Sequence, residues 1–235
     1  MVAGLIGQVL DGVPAKLAMI PMDFHLAILK PVPFVPLTVD VRIARQGKKL
    51  QVLQASLIAD GAEVALATLV RLRDASDIAP ANSVAPHSEP PPETLPRLAV
   101  AYPYFEFVDC RLIRGSFSEL GSGASWMRVC GNIIAGDDNT SLGALAICAD
   151  AGSGLGSLVS RSMWAYPNTS LTLHCHRCMM GDWILLDSVM HTQGHGVAQI
   201  HSSIADSSSR FGQVHQAVIL EPLPAQQGVR PGPFG

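Results

Sequence analysis

The chain has 235 residues, of which 48% are hydrophobic and 15% are charged, and its formal net charge is -3. This balance argues against a nucleic-acid binder, which presents a basic patch or stripe. The apolar content excludes an intrinsically disordered chain, and no apolar run reaches the roughly 20 residues that span a bilayer. The N-terminal stretch has neither a positive n-region nor a small-residue cleavage site, so we expect a cytoplasmic protein. An odd count of five cysteines predicts free, mostly buried thiols rather than a disulfide framework.

Residues 1–74 predict one helix followed by an antiparallel meander. Leu5, Val9 and Val13 recur at helical spacing, and a proline follows them. Asp60-Gly61 is a hairpin signal between two apolar runs. Apolar or alternating patterns predict four strands, over 22–30, 37–45, 50–59 and 63–73.

Residues 75–102 are rich in proline and predict a linker between two domains. The following residues, 103–222, repeat the order of helix and four strands. Residues 223–235 resemble the linker and predict a disordered tail. Such a repeat predicts an α+β fold and excludes a doubly wound parallel sheet. The elements predicted in the second half are strands over 104–113 and 124–129, a helix from 139 to about 163, and strands over 170–177, 183–190, 196–203 and 213–221.

Two motifs could indicate a cofactor or a metal. The spacing in Gly152-Ser153-Gly154-Leu155-Gly156 is not that of a dinucleotide fingerprint, and no acidic residue follows at the distance that binds a ribose. This motif is better explained as a run of small residues that lets a helix pack closely on a sheet. In the segment His174–Cys178, side chains on a strand would alternate faces, whereas a structural zinc needs four ligands. We therefore predict no cofactor and no metal site.

Asp150 is the most informative single residue. It follows a run of apolar and small residues, and acidic side chains are rarely buried without a partner. One interpretation is an Asp at a helix end or on the surface. The other is a carboxylate that activates a water molecule.

Eight stretches, in this order, carry a resemblance to a known family: FHLAILKPVP, VDVRIARQGKKL, ASLIADGAEVALA, DCRLIRGSFSE, SLGALAICADAGSGLGS, PNTSLTLHCHR, GDWILLDS and GQVHQAVIL. The sequence resembles the type-II, double-hotdog acyl-CoA thioesterases that are common in actinobacteria, over nearly its whole length. The resemblance implies two antiparallel sheets, each wrapped around a long central helix. A hotdog starts with a strand before its helix, so the first half is expected to lack roughly 20–30 residues, judged from the mean strand length.

The resemblance also implies a catalytic set of Asp, Thr (or Ser or Asn) and Gln that orients a water. The Asp corresponds to Asp150, and the Gln corresponds to Gln216, with Gln213 as a less favoured register. The hydroxyl position corresponds to Asn168 or to the adjacent Thr169. Both residue types offer a hydrogen-bond donor and acceptor, so the choice stays open here.

The implied function is hydrolysis of a fatty acyl-CoA by an Asp-activated water, with acyl-CoA as the substrate and a homo-oligomer as the assembly. The alternative is a non-catalytic acyl-CoA-binding hotdog protein, because a fold does not fix a function. A hotdog enoyl-CoA hydratase is less favoured, since no Asp-His pair stands in a suitable segment. Basic residues including Arg45 and Arg161 are expected on a solvated face, with contact to CoA phosphates as the alternative.

Overall fold

The computed structural model describes residues 1–81, 84, 86–100 and 102–224. Its helices are α1 (Val2–Asp11), α2 (Pro103–Phe107), α3 (Ser141–Ala149) and α4 (Gly152–Leu155), with a 3-10 turn at Pro92–Thr94. Its strands are β1 (Met19–Ile28), β2 (Leu37–Gln46), β3 (Leu50–Ala59), β4 (Ala62–Arg73), β5 (Val108–Arg114), β6 (Gly123–Val129), β7 (Trp164–Ala165), β8 (Asn168–Cys175), β9 (Ile184–Thr192), β10 (Val197–Ala205), β11 (Arg210–Ile219) and β12 (Glu221–Pro222).

Ten of these strands form one continuous antiparallel sheet, in the order β2-β3-β4-β1-β8-β11-β10-β9-β6-β5. The two antiparallel sheets that the resemblance implies are therefore joined edge to edge. The halves merge because β1 pairs with β8, from Asp23 opposite His174 to Ala27 opposite Ser170. This pairing satisfies the backbone groups of both strands, which would otherwise be exposed sheet edges. The remaining strands, β7 and β12, pair with each other.

The sheet curves around two short helices rather than two long ones. α3 ends at Ala149, so the helix predicted to continue to about residue 163 is wrong beyond that point. The chain turns at Asp150 and Ala151 and forms the short helix α4 from Gly152, which ends before Gly156. α1 has ten residues, and its buried face is Ala3, Ile6 and Leu10. Leu5 and Val9, which the sequence predicts on the apolar face of this helix, are partly exposed.

Glycines allow α1 and α3 to pack in direct contact. A Cβ at Gly4 would lie 2.1 Å from Ile147 Cγ1, and one at Gly143 would lie 2.7 Å from Gln8 Oε1. Gln8 is itself buried and accepts from the Thr140 amide at 2.7 Å, which holds α1 at the start of α3. The two helices and the inner face of the sheet form one apolar core that includes residues of both halves.

Most of the predicted strands are confirmed within two or three residues, and one prediction is wrong in part. The strand expected over 104–113 begins only at Val108, because α2 precedes it. Pro103 stands at the first turn of α2, where its fixed φ and missing N–H suit a helix start. The Asp60-Gly61 hairpin is confirmed, with positive φ at both residues (49° and 75°).

The proline-rich segment, predicted as a linker, packs on the second half of the chain. Trp126 Nε1 donates to the Pro90 carbonyl at 2.8 Å, and Arg111 donates to the Pro92 carbonyl at 2.7 Å. An extended proline-rich backbone leaves its carbonyls free to accept such bonds. Within 75–102, residues 82, 83, 85 and 101 lie outside the described residues, as do residues 225–235 of the predicted tail. The domain boundaries themselves stay a prediction.

The segment His174–Cys178 contains the end of β8 and the bend that follows it. Arg177 donates to both carboxylate oxygens of Asp206, which is fully buried, with one contact at 2.9 Å. Burial would raise the pKa of Asp206, but hydrogen bonds from Arg177, Ser208 and the Met180 amide hold it well below its ordinary value. In the part of the chain that the structure describes, no three His, Cys, Asp or Glu side chains are arranged to hold a metal ion.

A row of histidines crosses the outer face of the sheet. His201 and His215 are directly opposite on β10 and β11, with ring centroids 4.6 Å apart. His174 is 6.1 Å from His215, and His191 is 5.3 Å from His201. Burial, together with His201 and His174, lowers the pKa of His215.

Replacing Gly4 by Ala is expected to destabilise the fold by about 1–3 kcal/mol, because the new Cβ would overlap Ile147. The midpoint of urea unfolding measures this change. Gly12→Ala is the matched control: Gly12 has an ordinary helical φ of -70° at the end of α1, and its added Cβ meets nothing closer than 3.4 Å. Equal stability of Gly4→Ala and the wild type would contradict the close packing of the helices.

The lowered pKa of His215 makes the folded state sensitive to acid. The unfolded chain binds the proton more tightly, so stability is present above pH 6.5, the ordinary histidine value, and falls as pH decreases toward the folded pKa. We expect urea midpoints to decrease between pH 7.5 and about pH 5.5, and to decrease less in His215→Gln. The same loss in both proteins would exclude His215 as its source.

Candidate active site

Asp150 lies where α3 ends. Its carboxylate is 29% exposed, and its Oδ1 accepts from Asn168 Nδ2 at 2.7 Å. Its Oδ2 accepts from the ammonium group of Met1 at 3.0 Å. A negative charge at the C-terminal end of a helix is disfavoured by the helix dipole. Helix stability therefore does not account for this residue.

Gln216 approaches Asp150 from the sheet. It is buried on β11, and its Nε2 donates to the Asp150 backbone carbonyl at 3.3 Å. Among the described residues, Gln216 Oε1 and Asn168 Oδ1 are buried side-chain oxygens without a hydrogen-bond partner. Buried polar atoms are nearly always paired in folded proteins. Two such atoms beside one carboxylate indicate a place for a polar ligand or water.

The structure separates Asn168 from Thr169. The pairing of β8 with β11 shifts register between Ala217 and Val218, which is a β-bulge beside Thr169. Asn168 contacts Asp150, whereas the Thr169 hydroxyl donates to the Ala217 carbonyl at 3.0 Å. The alternative Gln213 is exposed on the outer face. The structure thus brings together Asp150, Asn168 and Gln216, whose catalytic roles stay a prediction.

Three small residues, Gly152, Ser188 and Ser202, lie behind Gln216. The sequence alone does not predict that they meet there. The hydroxyls of Ser188 and Ser202 are buried and 2.7 Å apart. A Cβ at Gly152 would lie 2.6 Å from Gln216 Oε1 and 2.9 Å from Ser202 Oγ. At Gly152 the predicted close packing of a small residue on the sheet is therefore confirmed. The signal for the two serines is their inward register, Ser202 on β10 beside β11 and Ser188 on β9 beside β10, which becomes visible only with the strand pairing.

A cavity of about 410 Å³ opens at Asp150. Its walls come from the end of the proline-rich segment, from α2 and from the loop between β5 and β6. Burial, with the nearby Cys148, Asp150 and Cys110, raises the pKa of Tyr104 well above 10, so its hydroxyl stays a donor, here to the Ile147 carbonyl. The lining residues are Leu98, Val100, Tyr102, Tyr104, Phe105, Ser116, Phe117, Ser118, Asp150, Ala151, Ser153, Gly154 and Arg161.

Comparison with solved structures gives the class of fold. A protein of unknown function with a hot dog fold from Alicyclobacillus acidocaldarius aligns with a TM-score of 0.72 at 18% identity, over 94% of this chain and 85% of that one. The acyl-CoA thioesterase II TesB2 from Mycobacterium marinum aligns with a TM-score of 0.68 at 17% identity, over 96% and 92%. These similarities confirm the predicted double-hotdog fold. A search of curated protein sequences finds no match.

Two family models match the chain in sequence. The model of the acyl-CoA thioesterase N-terminal domain matches residues 2–72, and that of the C-terminal domain matches residues 77–220. The protein is thus a thioester hydrolase with a hotdog fold. The chain belongs to the acyl-CoA thioesterase family, and its substrate is an acyl-CoA. Within the described residues, no helix is both long and apolar enough to cross a membrane.

Substitutions of the neighbours Asn168 and Thr169 test which of the two acts together with Asp150. Asn168→Ala is expected to lower kcat by about 10²-fold or more, since it removes the donor to Asp150. Thr169→Ala is the matched neighbour, and its hydroxyl contacts only backbone among the described residues. Steady-state hydrolysis of an acyl-CoA measures both. A larger loss in Thr169→Ala than in Asn168→Ala would reverse the assignment.

Proposed function

We propose that the protein hydrolyses a fatty acyl-CoA with a water molecule activated by Asp150. The observation that carries this proposal is the contact of Asn168 and Gln216 with Asp150, which lines an apolar cavity, together with two buried amide oxygens free of other partners. A thioester is an activated acyl group, so a positioned water and a base suffice for its hydrolysis.

The proposed reaction is a single displacement by water. Asp150 accepts a proton from the water, whose oxygen attacks the thioester carbonyl carbon. The C–S bond of the resulting tetrahedral intermediate breaks, and the proton passes from Asp150 to the departing CoA sulfur. The water donates one hydrogen bond to Asp150 and the other to one of the two unpartnered amide oxygens, Gln216 Oε1 or Asn168 Oδ1, while the Asn168 amide orients the carboxylate. The products are a free acid and CoA.

The cavity is suited to an acyl chain. Aromatic and aliphatic side chains make most of its wall, including Phe105, Phe117 and Leu98. Burial of apolar surface yields roughly 25 cal/mol per Å², so each methylene in such a cavity adds to affinity. The homo-oligomer and the cytoplasmic location stay predictions.

Asp150→Asn tests the proposed base. The amide keeps the shape of the side chain but cannot accept the proton, so we expect kcat to decrease by about 10²–10⁴-fold. The measurement is CoA release from saturated acyl-CoAs of increasing length. Asp40→Asn, an exposed residue on β2, is the matched control and is expected to behave as the wild type.

The assay needs an enzyme-only blank, because Cys130 and Cys178 are exposed and react with thiol reagents. Loss of thioester absorbance gives an independent measurement. Equal rates for Asp150→Asn and the wild type, with both proteins folded, would exclude Asp150 as the base.

A further inference from the structure

Arg161 is the only cationic side chain among the described residues that line the Asp150 cavity. Arg177 and Arg71 each have a carboxylate partner: Arg177 contacts Asp206, and Arg71 contacts Asp11 at 3.0 Å. Across the described part of the chain, the Arg161 guanidinium has no hydrogen bond and no ion pair. Arg161 is exposed, so its guanidinium is accessible to an anion that enters the cavity.

The position of this guanidinium is defined by its surroundings. Its carbon lies 5.3 Å from the centroid of the Tyr166 ring, a cation–π distance. Its Nη2 rests on Gly154, where an added Cβ would lie only 2.1 Å away. A glycine at 154 is therefore needed for the arginine to lie against α4.

The size of the cavity restricts the partner. Asp150 and Arg161 line the same cavity, whose volume is about 410 Å³. The guanidinium and the carboxylate therefore border one small space. In an acyl-CoA the whole pantetheine arm separates the thioester sulfur from the first phosphate. A phosphate is therefore too far from a thioester held at Asp150, whereas a group on a short or medium acyl chain is within reach.

We propose that Arg161 binds a carboxylate on the acyl chain, so that the enzyme favours dicarboxylic acyl-CoA over the monocarboxylic ester of the same length. This inference rests on the proposed function, because it takes Asp150 as the point where the thioester is held. The planar guanidinium binds a carboxylate through two parallel hydrogen bonds. The aromatic walls contact the methylenes between the two ends.

The test compares matched substrate pairs: adipyl-CoA with hexanoyl-CoA, and succinyl-CoA with butyryl-CoA. We expect wild type to have the higher kcat/KM for at least one dicarboxylic ester. Arg161→Gln is expected to lower the ratio of kcat/KM values, dicarboxylic over monocarboxylic, by about tenfold or more, as for loss of a charged hydrogen bond. Gly154→Ala, which displaces the guanidinium and keeps its charge, is expected to lower the same ratio. Arg73→Gln, an exposed arginine outside the cavity, is the control.

Two outcomes would overturn the inference. An unchanged ratio in Arg161→Gln would leave the arginine as a solvated side chain. An equal loss for both CoA esters, absent with phosphate-free N-acetylcysteamine thioesters of the same acids, would assign Arg161 to a CoA phosphate instead.

A binding measurement keeps this inference separate from the proposed function. In Asp150→Asn protein, calorimetric titration with adipyl-CoA and hexanoyl-CoA gives two dissociation constants without turnover. Adding Arg161→Gln is expected to weaken adipyl-CoA binding by about tenfold relative to hexanoyl-CoA. If wild type hydrolyses no ester, the proposed function fails, and this titration alone decides the role of Arg161.

Discussion

The direct contact between α1 and α3 is the constraint on which the site depends. Gly4 and Gly143 let the helices approach until Ile147 and Gln8 fill the space between them. Because α1 belongs to the first half and α3 to the second, this contact fixes the end of α3, and with it Asp150, relative to both halves. The site is thus a property of the whole chain, although its three proposed catalytic side chains come from the second half.

The pairing of β1 with β8 also holds the two halves of the chain together. It turns two small sheets into one, so the inner face is continuous beneath both helices. β8 is then paired on both sides from Ser170 to His174, by β1 and β11, and Asn168 lies two residues before this stretch, opposite Val218 of β11. Gln216 on β11 reaches the end of α3 from the neighbouring strand. A precise water position requires side chains on such supported elements.

The sequence predicts the strands well because their alternation is local, and it predicts Asp150 and Gln216 through the resemblance to a family. It does not predict the choice between Asn168 and Thr169, because the bulge that separates them belongs to the pairing of two strands that are distant in the sequence. The predicted helix extends beyond the end of α3, because the composition after Asp150 stays apolar and gives no sign of the turn at Asp150 and Ala151. The path of the proline-rich segment depends on Trp126 and Arg111, which no local pattern relates to it.

Two features of this site work against folding. A carboxylate stands at the unfavourable end of a helix, and two amide oxygens beside it are buried without partners. The rest of the core compensates for them, with Asp206 showing how fully this protein satisfies a buried charge that serves the fold. Groups left unsatisfied beside one carboxylate are best explained by a ligand that satisfies them. A water at Asp150 would donate to the carboxylate and to one of the two amide oxygens, and a carboxylate at Arg161 would pair with the exposed cation of the same cavity.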